Sequence, residues 1–277
     1  MSVATVLSLA TVSDPRPIPV CLSIAGSDSG GGAGIQADLK AFARAGVHGA
    51  TAITAITAQN TVAVTAVEAI SPAMILAQVQ AVVDDLGVDA VKIGMLGSVP
   101  TTEAVSRALD LLAPGTPVVL DPVMVAESGA RLLDPDAERA LLELIVPRAT
   151  VVTPNLPEAR VLSRNTGDGE DLARAVHALG PRAVVVTGGH RGEAIDVLFD
   201  GETVVEIAGE RHPDGAAHGS GCTHSATLAA RLALGEDLET AAREAKRVAS
   251  DAVRDGLRDM GRGAGPVNAL GLGVRVG

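Results

Sequence analysis

Val20-Cys-Leu-Ser-Ile-Ala-Gly-Ser-Asp-Ser-Gly-Gly-Gly-Ala-Gly34 joins a short apolar run to a glycine-rich turn. Val20–Ala25 has the composition of a strand buried on both faces, and a helical pattern follows over 33–45. A buried strand, a tight loop and a helix in that order form the opening of an α/β fold. The same alternation runs outward to the end of the chain. Residues 50–57 and 62–70 read as strands, and Ser71-Pro72 opens a helix as cap and first-turn proline. That helix places Ile75, Val79, Val82, Val83 and Leu86 on one face. A strand at 89–93, a helix near 101–112 and a strand at 117–121 come next. Asp134-Pro135 opens another helix, followed by strands at 149–153 and 183–187. Asp200-Gly201, set between Ile195–Phe199 and Thr203–Ile207, signals a hairpin. Helices over about 220–234 and 237–257 close the pattern. Apolar strands alternating with helices predict a mostly parallel sheet covered on both faces, a three-layer α/β/α architecture. Residues 1–18 read as a loose, flexible, proline-punctuated extension, and 19–277 as one domain.

The 277 residues carry 33 acidic and 22 basic side chains, a formal charge of −11, and 47% are hydrophobic. That composition suits a folded core and argues against nucleic acid, whose phosphates call for clustered Lys and Arg. Phe42 and Phe199 are the only aromatic residues besides histidine. A flat heterocycle must therefore be gripped by aliphatic walls and hydrogen bonds rather than stacked. Two cysteines in unrelated contexts, Cys21 and Cys222, make no disulfide framework, which suits a reduced, cytoplasmic setting. No apolar run approaches the ~18 residues of a membrane span. The first residues lack the basic region of a signal peptide.

Ligands of such sheets bind beyond the carboxyl ends of the strands, and the chemistry-bearing residues fall there. The loop Gly26–Gly34 lets backbone approach a ligand at a helix start. Read as a dinucleotide site, it lacks the acidic residue that the second strand should supply, because that strand ends Thr57-Ala-Gln59-Asn60. A tight βα turn is its plain alternative. His218-Gly219-Ser220-Gly221-Cys222-Thr223 leads into a long apolar helix. Its consecutive amides are suited to an anion hole, and the helix dipole is expected to lower the Cys222 thiol pKa. Cys21, inside a strand, reads as inert. Asn155-Leu-Pro-Glu158, with Asp121 ending the preceding strand, offers oxygen donors for Mg²⁺ beside phosphates, or a helix cap. Gln59 can read the edge of an aminopyrimidine-like ring, with Met95 as a plastic apolar wall. Lys92, lodged in an apolar strand, reads alone as structural.

Together these segments resemble the hydroxymethylpyrimidine/phosphomethylpyrimidine kinase family of the ribokinase-like superfamily. The matching pieces, in family order, include Ile24–Asp28, Gly31–Lys40, Thr57–Thr61, Lys92–Leu96 and Leu120–Met124. They continue through Thr153–Glu158, Gly188-Gly-His190, His218–Thr223 and Gly263–Val267, so the resemblance spans about residues 18–270. It implies ATP- and Mg²⁺-dependent phosphorylation of a hydroxymethylpyrimidine and then of its monophosphate, in thiamine diphosphate biosynthesis. It implies that Gln59, Gly26, Asp38, Met95 and Val123 line the pyrimidine pocket. Asp121 and Glu158 would lie in the metal–phosphate region with Asn155 and Thr187. Gly219, Ser220 and Gly221 would form the anion hole, and Cys222 would stand where sugar kinases of the superfamily place a catalytic Asp. A homodimer is implied as well.

Three positions depart from the family pattern. Thr187 stands where a Lys often precedes Gly-Gly-His, Glu127 where Lys is usual, and Ala217 where a Thr precedes His218. A pyridoxal kinase, or a dual-specificity enzyme, is the nearest rival reading. A catalytically dead ribokinase-like binding protein is the rival from another class, and a dehydrogenase comes third.

Overall fold

In a computed structural model, the residues described are 17–124, 133–188, 194–213 and 215–273. In chain order the elements are β1 (Val20–Asp28), α1 (Gly34–Ala45), β2 (His48–Gln59), β3 (Val64–Ala69), α2 (Pro72–Asp85) and β4 (Ala90–Ile93). Then come α3 (Val99–Ala108), β5 (Val118–Leu120), α4 (Pro135–Leu144), β6 (Val151–Val152), α5 (Leu156–Ser163) and α6 (Gly169–His177). The last are β7 (Ala183–Val186), β8 (Asp196–Phe199), β9 (Val204–Ile207), α7 (Ser220–Ala233) and α8 (Leu238–Arg254).

Among the described residues nine strands form one sheet in the order β3-β2-β1-β4-β5-β6-β7-β8-β9. The strands from β2 to β7 pair in parallel, while β3, β8 and β9 are joined by antiparallel pairings. Side chains alternate across a strand, so each central strand feeds two cores. Ile24, Val91, Leu120, Val152 and Val184 pack under α2–α6. Cys21, Ala90, Val119, Val151 and Val185 pack under α1, α7 and α8, with fully buried Phe42. The three-layer α/β/α architecture is thereby established.

Local chemistry explains most boundaries. Ser71 Oγ accepts from the Met74 amide at 3.3 Å to cap α2, with Pro72 in the first turn where a missing N–H costs nothing. The β8–β9 hairpin turns at Asp200-Gly201, where Gly201 takes φ +100° and Asp200 Oδ1 accepts from the Glu202 and Thr203 amides. Two helices, α5 and α6, were not expected from periodicity. The helix anticipated to residue 112 stops at Ala108 and tightens into a 3-10 turn over Leu109–Leu111. The N-terminal extension as far as residue 16, and Glu127, lie outside the described residues. Among those residues, no helix is long and apolar enough to cross a membrane.

Candidate active site

A cleft of about 580 Å³ opens beyond the carboxyl ends of the parallel strands, walled by the glycine loop after β1 and by the start of α7. Every sequence-predicted site residue except Asp38 lines it.

The glycine loop is held by a residue that sequence reasoning passed over. Asp28 ends β1, and its carboxylate accepts from the amides of Gly30 (2.8 Å), Gly32 (3.0 Å) and Ala33 (2.8 Å). It also pairs with His218 Nε2 at 3.0 Å, which ties this loop to the loop before α7. Burial works against its charge, but the bonds from His218 and the loop amides hold the carboxyl below the usual range. The two loops approach so closely that a Cβ on Gly219 would fall 1.8 Å from the Gly32 carbonyl oxygen. Gly219, at φ +89°, is the cap of α7. Only glycine fits such a contact in that left-handed conformation.

The first turn of α7 supplies the anion hole. Ser220 N–H is already spent on the Ala217 carbonyl at 3.0 Å. Among the described residues the Gly221 and Cys222 amides have no acceptor, so two donors at a helix start face the cleft. Cys222 does not behave as an acidified thiol. Burial pushes it up to about 12; Lys92 opposes this, while the charges of Asp38 and Asp121 add to it. The expected lowering by the helix dipole is thus outweighed by desolvation beside two carboxylates.

At the pyrimidine end, Gln59 closes β2 and its carboxamide oxygen accepts from Thr57 Oγ1 at 3.3 Å. A Cβ on Gly26 would meet Met95 Cε at 2.6 Å, so the missing side chain makes room for the Met95 wall. Val123 lies half-buried on the lining after β5. Asp38 corrects the expectation. It is fully buried in α1, accepts from Ser23 Oγ at 2.5 Å, and forms an ion pair with Lys92 Nζ at 2.9 Å. Lys92 points to the α1 side of β4 because it shares the face of Ala90. Burial opposes the ammonium, but the field of Asp38 wins and keeps Lys92 protonated. Lys92 therefore reaches the cleft and Asp38 supports it from behind.

Asp121, Asn155, Glu158 and Thr187 line the other end. Asn155 and Glu158 form a reciprocal capping box at α5, each side chain accepting from the other's amide at 2.9 Å. Capping, the plainer of the two roles, is thus present, and it leaves the Glu158 carboxylate beside the cleft. Burial pushes Glu158 up to about 8, with the charge of Asp121 adding to it. Asp121 is itself raised by burial, although Lys92 pulls the other way and Ser225 Oγ donates to it at 3.0 Å. Thr187 bridges Asn155 at the end of β7. Ala217 carries no hydroxyl beside the anion hole. A further cluster, Asp196, His224 and Lys246, lines the same end and went unnoticed in the sequence. Its signals were a carboxylate opening the apolar run Asp196–Phe199 and an imidazole inside an apolar helix.

This arrangement of open helix-start amides, paired buried carboxylates and an apolar-walled ring pocket suits phosphoryl transfer to a small hydroxylated heterocycle. Similarity to known proteins agrees. The chain is 50% identical over 257 residues to the hydroxymethylpyrimidine/phosphomethylpyrimidine kinase of Rhizobium meliloti, covering 90% of this chain and 96% of that one. The ADP complex of Bacillus subtilis pyridoxal kinase superposes with a TM-score of 0.83 at 38% identity, covering 93% of this chain and 100% of that one. The phosphomethylpyrimidine kinase of Clostridium difficile 630 gives a TM-score of 0.75 at 38% identity, with 85% and 99% covered. Residues 28–268 match the family model described as phosphomethylpyrimidine kinase, and the chain belongs to that family.

Proposed function

We propose that this protein transfers a phosphoryl group from ATP to the hydroxymethyl oxygen of 4-amino-5-hydroxymethyl-2-methylpyrimidine, and a second to the resulting monophosphate. It would thereby serve thiamine diphosphate biosynthesis. The observation that carries this reading is the pair of open amides at Gly221 and Cys222, facing buried Asp121 and Glu158 across the cleft. Kinase chemistry needs little more than positioning and electrostatic stabilisation of the transferring group, and these parts supply both. ADP in the Bacillus subtilis relative supports ATP as the donor.

Mg²⁺ fits the residues present. Asp121 and Glu158 are buried together with too little positive charge, and this is what raises both. Among the described residues no group of three or more side chains could hold a metal. The protein would therefore contribute one or two carboxylates, directly or through water, with phosphates completing the shell, as Mg²⁺ prefers. The ion would neutralise charge on the phosphates during transfer.

Gln59 and Met95 would read and wall the ring, and Cys222 would face the acceptor hydroxyl. The protein reads as a cytoplasmic homodimer, and the exposed apolar side chains Ile56, Val62 and Val67 on the β2–β3 edge support self-association. Pyridoxal phosphorylation is the second reading, favoured by the superposition on a pyridoxal kinase. Incubation with Mg-ATP and either the pyrimidine or pyridoxal, with mono- and diphosphates resolved, tests both. Pyrimidine diphosphate is the expected major product. Failure to form either pyrimidine phosphate would overturn the proposal.

A further inference from the structure

His224 sits in the second turn of α7, just past the anion hole, with its side chain 5% exposed. Neither ring nitrogen has a hydrogen-bond partner. Its nearest polar neighbour is Asp196 Oδ2, 3.3 Å from Nε2, and that oxygen is unpartnered too. The other oxygen of Asp196 is fully engaged, accepting from Lys246 Nζ at 2.6 Å and from the Gly188 amide at 2.8 Å. Asp196 thus joins three elements at the cleft wall: β8, α7 through His224 and α8 through Lys246. The amide of Gly188, just past β7, is tied in as well. Buried polar groups are almost always paired, and an unpaired imidazole amid Ala226, Leu228 and Ala229 serves no packing need that a leucine would not serve better. A ligand entering the cleft is the partner this ring lacks.

Charge indicates the ligand. Of the chain's three lysines, Lys40 is spent on the Gly31 carbonyl at 2.6 Å and Lys92 on Asp38. Only Lys246 remains at this end of the cleft, where Thr187 carries no charge. An ammonium and an imidazole, both steered by one buried carboxylate beside open helix-start amides, suit an anion with several oxygens.

We propose that His224 is a binding residue for the phosphate tail of the nucleotide, oriented by Asp196, which also positions Lys246. The inference rests on the kinase reading and adds a residue to it. Nε2–H donates to Asp196 Oδ2 after a small ring rotation, and the remaining nitrogen is left for a phosphate oxygen.

Calorimetry with Mg²⁺ and a non-hydrolysable triphosphate analogue, alongside adenosine, tests this. His224→Leu should weaken the analogue about tenfold, the scale of one charge-assisted hydrogen bond, and leave adenosine unchanged. His224→Gln, which keeps a donor, should recover to within about threefold. In turnover the loss should appear in KM for ATP, with kcat and KM for the pyrimidine held. Melting curves of both variants check the fold. Equal analogue affinity in wild type and His224→Leu overturns the assignment alone, as does a loss confined to kcat. Wild-type protein that binds no nucleotide overturns the kinase reading and this inference with it.

Discussion

At Cys222 two opposing effects meet: a helix start favours a thiolate, while burial beside Asp38 and Asp121 disfavours it, and the second prevails. A thiol near 12 is almost wholly protonated at neutral pH, and its thiolate fraction rises about tenfold per pH unit below that value. If Cys222 takes the acceptor proton, kcat should climb between pH 7 and 9. Cys222→Ala should then lose both the slope and most of kcat, on the ~10²–10⁴-fold scale of general base catalysis, with KM little changed. A flat wild-type profile would leave the anion hole as the catalytic device. Gln59 admits a simpler test. A leucine there removes an edge-reading hydrogen bond and strands polar groups of the ring, so kcat/KM for the pyrimidine should fall roughly 10- to 100-fold. Steady-state kinetics with pyrimidine and pyridoxal in parallel would show whether the loss is specific.

The strands were legible from sequence because burial on both faces leaves an unbroken apolar run, as in Val20–Ala25 and Ala183–Val186. The helix α5 was not. It spans 8 residues, too few for a period to show, and its only strong signal was the Asn155–Glu158 spacing, which also reads as a metal motif. Helix α6 begins at Gly169 with φ +43° and is mostly polar outside Leu172, Ala173 and Val176. Asp28 and His218 were quoted within motifs, but their partnership joins residues 190 apart, which no local pattern reveals. The pairing of Asp38 with Lys92 hid in the same way.

The α5 cap carries its own predictions. Glu158 holds its proton more tightly in the folded chain, near 8, than at its ordinary 4.5. The folded state therefore binds more protons across that window, and stability without metal is full below the ordinary value and falls as pH rises toward 8. The loss is on the order of a few kcal/mol. Thermal melts between pH 5 and 8 should show the decline, Glu158→Gln should flatten it, and Mg²⁺ with nucleotide should offset it. The same variant should raise the Mg²⁺ concentration needed for half-maximal activity, and excess chelator should abolish turnover in the wild type. At α7, Gly219→Ala forces a Cβ against the Gly32 carbonyl in left-handed backbone. It should cost several kcal/mol or displace the glycine loop, read as a lower Tm with nucleotide affinity lost.

Across the molecule, β3 is an edge strand with nearly every residue exposed, and its neighbour Ile56 is half exposed. Natural edges are seldom left so apolar, and self-association covers them. Light scattering should return twice the 27.8 kDa chain mass, and Ile56→Lys with Val67→Lys should return a single mass. The sheet order has a consequence for synthesis. From β1 onward, β4 to β9 add one after another to the same growing edge. A chain emerging from the ribosome amino end first can therefore lay down each strand against one already in place, without waiting for a distant partner. Only α7, whose first turn faces the glycine loop after β1, must reach back across the whole sheet. Nascent chains arrested before residue 218 should already resist protease through β1–β7, yet bind no nucleotide. On that reckoning the protein becomes an enzyme only in the last stretch of its translation.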